Sequence, residues 1–236
     1  MFRGDHPDLD RALGRAFALA LDLRHPRTGS EHLLAALAEG PRGTLADVLA
    51  RHGATPAAIR DAARLAAPLG AGGAADRFVL APLGVDLDRL LGDRGAPALD
   101  RPARREPLLP LGAAKARRRR AALTPPLGLD ARASYAASLR LALARREREH
   151  RPEHLALALT ALDPGVAWVL ETAGVGRAAL LADLASTYPP PRRNALLAAE
   201  RRLGHRVRRR DLVRRYQRTT GRAVTSADAL PALIRG

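Results

Sequence analysis

Cysteine is absent, so neither a disulfide nor a thiolate metal ligand is available to this chain. Aromatic residues make up only 3% of it, and β-branched residues are also scarce, which removes the side chains that strands favour. No apolar stretch reaches the ~18 residues of a membrane span before a charge or proline interrupts it. The N-terminus carries no basic-then-apolar signal pattern. These absences predict a cytoplasmic protein with no membrane partner. What remains is rich in Ala and Leu, with 47% hydrophobic residues over 236 positions. Both residues lose little freedom in a helix. The composition therefore predicts an all-α chain large enough to bury a core.

Lysine occurs once, at Lys115, so the formal charge of +16 is almost wholly arginine. Coding bias toward arginine accounts for this as well as selection for guanidinium chemistry does. The charge is unevenly placed. Residues 101–120 hold eight basic groups against Glu106 alone, and residues 189–236 hold thirteen arginines against Glu200, Asp211 and Asp228. Elsewhere acids and bases nearly balance. The basic character thus belongs to a linker and a tail.

Helical periodicity organises the rest. Asp8 or Asp10 is a candidate cap for a first helix, whose stripe is Leu9, Leu13, Phe17, Ala20, Leu21 and Leu23. His25-Pro26-Arg27-Thr28-Gly29 stops it. Ser30 then caps a second helix, Glu31 to about Glu39. A third runs from Thr44 to Arg51 and ends at Gly53, and Thr55-Pro56 opens a fourth with Ile59, Ala63 and Leu65 facing inward.

The same order of events returns after residue 128. Sliding Glu31-His32-Leu33 onto Glu153-His154-Leu155, an offset of 122, also brings Leu19-Ala20-Leu21 onto Leu141-Ala142-Leu143. With one residue dropped, Val48-Leu49 falls on Val169-Leu170 and Gly53 on Gly174. This is an internal duplication. The expected layout is a four-helix repeat at 1–66 and a linker with a short helix at 67–126. A second repeat at 127–188 and a basic, partly helical tail at 189–236 complete it. Within the linker, 68–73 reads as a loose Gly/Ala stretch and 92–126 as a flexible Pro- and Arg-rich segment. Within the tail, helices are expected at Asn194–Leu203 and Asp211–Tyr216.

A long helix, then Gly29-Ser30-Glu31-His32-Leu33-Leu34, then Val48-Leu49 and Gly53, resembles the N-terminal repeat of Clp/Hsp100 unfoldases of the ClpC and ClpA type. His25 falls on a His of that pattern; Glu147 stands at the corresponding place in the second copy. The resemblance implies a pseudo-twofold, eight-helix domain that binds adaptors, unfolded substrates or marked proteins. It also implies that Glu31 and Glu153 accept the guanidinium of phosphoarginine; the family's phosphate-side Thr falls by spacing on His6 in the first copy and on Gly128 in the second, where Thr124 serves only if the alignment gains a gap. A carboxylate suits a planar guanidinium through two charge-assisted hydrogen bonds. The competing assignment makes both glutamates first-turn acids that stabilise a helix dipole by ~0.3–1 kcal/mol.

No P-loop surrounds Lys115, which is followed by Ala116 and Arg117, so the ATPase of an unfoldase is missing. No Gly-x-Ser-x-Gly elbow occurs either. His32 and His154 have no ligand partner at helical spacing and read as packed or capping residues. The chain is expected to have no catalytic residue, metal or cofactor. It is expected to act as a stand-alone adaptor, decoy or sequestering factor that binds Clp components or their marked substrates. The alternative is a nucleic-acid-associated regulator gripping phosphates, or another acidic partner, through Arg117, Arg118, Arg119, Arg120, Arg208, Arg209 and Arg210.

Overall fold

A computed structural model describes residues 2–41, 45–91, 112, 115, 125–191 and 209–234. Among these the protein is all-α, with two short strand segments. The first copy comprises α1 (Pro7–Asp22), α2 (Ser30–Ala38), α3 (Leu45–Arg51) and α4 (Pro56–Leu65). Then come α5 (Gly70–Leu80), a 3-10 turn (Ala81–Leu83) and α6 (Leu87–Leu91). The second copy is α7 (Leu129–Ala144), α8 (Pro152–Leu162), α9 (Pro164–Thr172) and α10 (Arg177–Thr187). The C-terminal region adds α11 (Arg209–Thr220), a 3-10 turn (Ala227–Ala229) and α12 (Leu230–Ile234).

The duplication is legible atom by atom. α1 and α7 start and stop at positions 122 apart. Each ends in the same turn, with Arg24 (φ 55°) and Arg146 (φ 62°) both left-handed. The closing bonds repeat as well: His25 N–H to Ala20 O at 2.8 Å, and Glu147 N–H to Ala142 O at 3.0 Å. α3 and α9 are each followed by a glycine at positive φ, Gly53 (80°) and Gly174 (71°), where a side chain would strain the backbone.

The copies also clasp each other. Segment β1 (Gly4–Asp5) pairs in parallel with β2 (Glu149–His150), so the N-terminus of copy one lies beside the entry to α8. The converse pair, Leu127 with Thr28, sets the entry of copy two beside that of α2. Advancing Thr28 by the offset and taking Leu127 back by it gives His150 and Asp5, the first pairing, which is what a pseudo-twofold axis between the copies demands.

α2 and α8 sit at the centre. All nine residues of α2 are buried, and so is α8 from His154 onward. That explains why their sequences read as apolar all round rather than striped. No single helix among the described residues is long and apolar enough to cross a membrane; α8 and α9 pass only as a pair, bent by 88°.

Several expectations change. The cap of α1 is His6, whose Nδ1 accepts the Asp8 N–H, rather than Asp8 or Asp10. Leu21 and Leu65 are 59% and 66% exposed, because each lies on the outer face of the last turn of its helix. The Gly/Ala stretch is the start of α5, a helix packed on α9. Its glycines permit that approach: a Cβ on Gly165 would meet the Gly72 nitrogen at 2.6 Å, and a Cβ on Gly72 would overlap the Asp130 carboxylate. The tail is partly core. Leu212, Tyr216, Leu230 and Leu233 are each 1% exposed, and Arg145 Nε donates to Leu233 O at 2.6 Å. Arg117–Arg120, Arg208 and the helix expected at Asn194–Leu203 lie outside the described residues, as do the side chains of Arg209 and Arg210.

Candidate functional site

The entry to each central helix carries the Glu-His pair, and the histidine does the same work in both copies. The residue before the helix, Gly29 or Arg151, offers no side-chain oxygen to cap it. His32 Nδ1 lies 2.9 Å from the Gly29 N–H, and His154 Nδ1 lies 3.0 Å from the Arg151 N–H. Each imidazole reaches back from the third helical position to the cap, as a Glu or Gln does in a capping box. The expectation that both are capping histidines is met.

The glutamates diverge. Glu31 is 2% exposed, its Oε2 accepts the Ala71 N–H at 3.2 Å, and its Oε1 lies 3.2 Å from His32 Nδ1. Its carboxylate therefore caps α5, forty residues later, in addition to opening its own helix. Burial alone would raise the Glu31 carboxyl, but the His32 contact and the Ala71 amide hold it below the ordinary range. Among the described residues no helix covers Glu153 as α5 covers Glu31. Glu153 is part-exposed and lies within electrostatic reach of Arg145 and Tyr188.

A cavity of about 70 Å³ adjoins Glu31, with His25, Ala71, Gly128, Asp130 and Arg222 among its walls. The N-termini of α2, α5 and α7 converge on it, and Glu31 and Asp130 supply the negative charge that such ends favour. Arg222, delivered by the segment after α11, forks onto Asp76 through Nε and Nη2 (2.9 and 2.6 Å) and reaches Asp130 through Nη1. Burial still pushes Asp130 up to about 7; Arg222 opposes the shift, while Asp163 and Glu31 add to it. Asp163 is fully buried and also raised, although it accepts from Ser134 Oγ (2.8 Å) and the Val166 N–H (3.0 Å).

His6 does not face Glu31. Its backbone N–H binds His150 O at 2.8 Å, which places it at the entry to copy two. Gly128, its counterpart, binds Thr28 O at 3.0 Å and shares the cavity with Glu31. The clasp thus sets His6 beside copy two and Gly128 beside copy one.

Two clusters escaped the sequence. His25, Glu31 and His32 bring three potential ligand atoms within 4.8 Å of one another. His25 lies in the turn before the helix, so a search at helical spacing passes over it. The other is Asp5, His150 and Ser138, linked at 2.9 Å (Oδ1 to Nδ1) and 2.8 Å (Nε2 to Oγ). That connectivity is a hydrolytic triad's, but the chemistry is not. Ser138 Oγ also lies 2.8 Å from Tyr135 O, so its single hydrogen is shared out between that carbonyl and His150 Nε2, and no space is left at the hydroxyl for a substrate. Ser138 and His150 are both 0% exposed. The three residues weld β1 and α7 to β2.

Residues 7–91 match the family described as Clp repeat (R) N-terminal domain. Residues 7–91 are thus similar to a Clp N-terminal domain. The match covers copy one and continues through α5 and α6; copy two extends the same architecture by the internal symmetry. A solved structure similar to the chain is the N-terminal domain of the caseinolytic protease associated chaperone ClpD from Arabidopsis thaliana. It shows 16% identity and a TM-score of 0.47, over 79% of this chain and 96% of that one. No curated protein matches.

Proposed function

We propose that the protein is a non-catalytic recognition module of the Clp system, an adaptor, decoy or sequestering factor, whose second repeat receives the ligand. The observation that carries this is the asymmetry of the two glutamates. Glu31 is sealed under α5 with its carboxylate already bonded, whereas Glu153 opens α8 part-exposed, with no helix laid across it among the described residues. A guanidinium on a marked substrate would find its carboxylate at Glu153, and His6, at the same entry, would stand on the phosphate side. Glu31 would act chiefly by holding α5.

The test is binding of an arginine-phosphorylated protein to the full chain and to Glu153→Ala, Glu31→Ala and His6→Ala. Loss of one bidentate charge-assisted contact should weaken binding by roughly tenfold or more in Glu153→Ala. Glu31→Ala should lower the denaturation midpoint and leave affinity nearly unchanged. Equal affinity for the full chain and Glu153→Ala overturns the assignment.

A second reading, phosphate gripping by the arginine-rich segments, rests on the net charge of +16. Deleting residues 189–236 would not test it cleanly, because α11 and α12 contribute core residues. Replacing Arg208, Arg209 and Arg210 together and following affinity against salt is the appropriate experiment.

A further inference from the structure

α5 changes character half-way along. Its early residues, Ala71 to Ala75, are small and buried, and the helix packs on α9. The large apolar residues come after them and lie outside, against the usual order of burial. Phe78 and Val79 at the end of α5, Leu83 in the 3-10 turn, Val85 beyond it and Leu90 in α6 are between 38% and 72% exposed. Seven large hydrophobic residues are exposed among the described residues, and these five fall within the single stretch 78–90. Helical spacing gathers Phe78, Val79, Pro82 and Leu83 on one side. α6 returns to α5 with Leu87 buried, which carries Leu90 back toward the same region. Single exposed leucines are ordinary, but a clustered apolar face marks a contact.

We propose that this face is a homodimer interface, its occupant being the same face of a second copy of the chain. The five side chains leave on the order of 500 Å² of apolar surface in water, a patch of the size that marks interaction sites. Apolar atoms make up about 60% of an interface. Two such faces with their polar rims therefore bury about 1,600 Å² in all, the size of a stable complex. Charge selects the partner. The chain carries +16, yet residues 70–91 hold Arg77 and Arg89 against Asp76, Asp86 and Asp88. Two such basic chains repel, and a nearly neutral face lets them meet without pressing like charges together. A polyanion is drawn to the arginine-rich segments instead and gains nothing here. An apolar face is complementary to itself, so a two-fold pair closes and grows no further.

Such a pair has a distinctive salt dependence. The contact is apolar while the net charges are alike, so salt screens the repulsion and strengthens association. Pairing of arginines with acids weakens under the same change. A dimer also carries two Glu153 entries, and a ligand marked twice gains avidity from them. That consequence rests on the reading of Glu153; the pairing itself does not.

The experiment is sedimentation equilibrium of the full chain, freed of nucleic acid, over about 1–200 μM. Expected is a mass that rises with concentration from 25.2 kDa to twice that value, and more readily at high salt than at low. Leu83→Arg and Leu90→Arg put a charge into the apolar contact and should weaken pairing by at least about tenfold, at unchanged helicity. Leu21→Arg, at a comparably exposed position on α1, should leave it intact. Because the chain has no cysteine, Val79→Cys and Leu21→Cys each introduce a unique thiol. The labelling rate of the first should fall as the pair forms, and that of the second should not. The proposal is overturned if the chain stays monomeric throughout, if the pair dissociates as salt rises, or if both Arg variants pair like the parent. A monomer that covers this face with a different protein overturns it equally. The thiols decide the matter where an Arg variant folds poorly, since a Val79→Cys rate unchanged by pairing places the contact elsewhere.

Discussion

Asp130 offers the sharpest test of how the C-terminal segment is held. Its carboxyl is buried and raised from 3.8 to about 7, so between those values the unfolded chain loses a proton that the folded chain keeps. Stability from this group is therefore fully present below pH ~4 and is lost as pH rises through about 7. Three pH units at 1.36 kcal/mol each set the scale, on the order of 4 kcal/mol at most. Asp130→Asn fixes the uncharged state. Relative to the parent it should gain stability from pH 4.5 to 7.5 and then level off, in urea denaturation followed by circular dichroism. Arg222→Met should do the opposite. It leaves Asp76 and Asp130 without their shared cation, and breaking a buried pair costs about 3–5 kcal/mol. That cost should be larger at pH 8 than at pH 5.5, where Asp130 already carries its proton. If Asp130→Asn tracks the parent in parallel across this range, the carboxyl is not shifted and the reasoning fails.

Other substitutions probe other contacts. Gly72→Ala drives a Cβ into the Asp130 carboxylate and should cost about 1–3 kcal/mol, read as a lower urea midpoint. His25→Glu gives His32 Nε2 the acceptor that Glu147 gives His154, and should stabilise by about 0.5–1.5 kcal/mol; a loss would show that the copies are not equivalent there. Ser138→Ala strips the buried His150 Nε2 of its partner and should cost about 1–3 kcal/mol, while a serine-directed covalent probe should fail to label the parent chain. Leu157→Ala, at the centre of α8, should cost about 2–5 kcal/mol in the same assay.

Much of this was legible before any coordinates. Composition gave the helices, and the repeated Glu-His-Leu gave the duplication and its register. That His32 and His154 are packed or capping residues followed from their lack of ligands at helical spacing; the bonds to Gly29 and Arg151 show that they are both. The Gly/Ala run before α5 did not read as a helix start, because glycine's low helix propensity hides a position chosen for close approach to α9 and Asp130. The tail read only as basic and partly helical because its four buried anchors, Leu212, Tyr216, Leu230 and Leu233, are scattered among arginines.

What the chain determines by itself is local: where helices begin and stop, and that one unit occurs twice. Those properties depend on residues a few positions apart. Which glutamate stays accessible was decided by tertiary structure alone. The pseudo-twofold clasp sets His6 at the entry to the copy of Glu153 and Gly128 beside Glu31, and α5 closes over Glu31 with no counterpart observed over Glu153. Two identical dipeptides thereby acquire different environments, because burial and hydrogen bonding are set by what packs on them from 40 or more residues away.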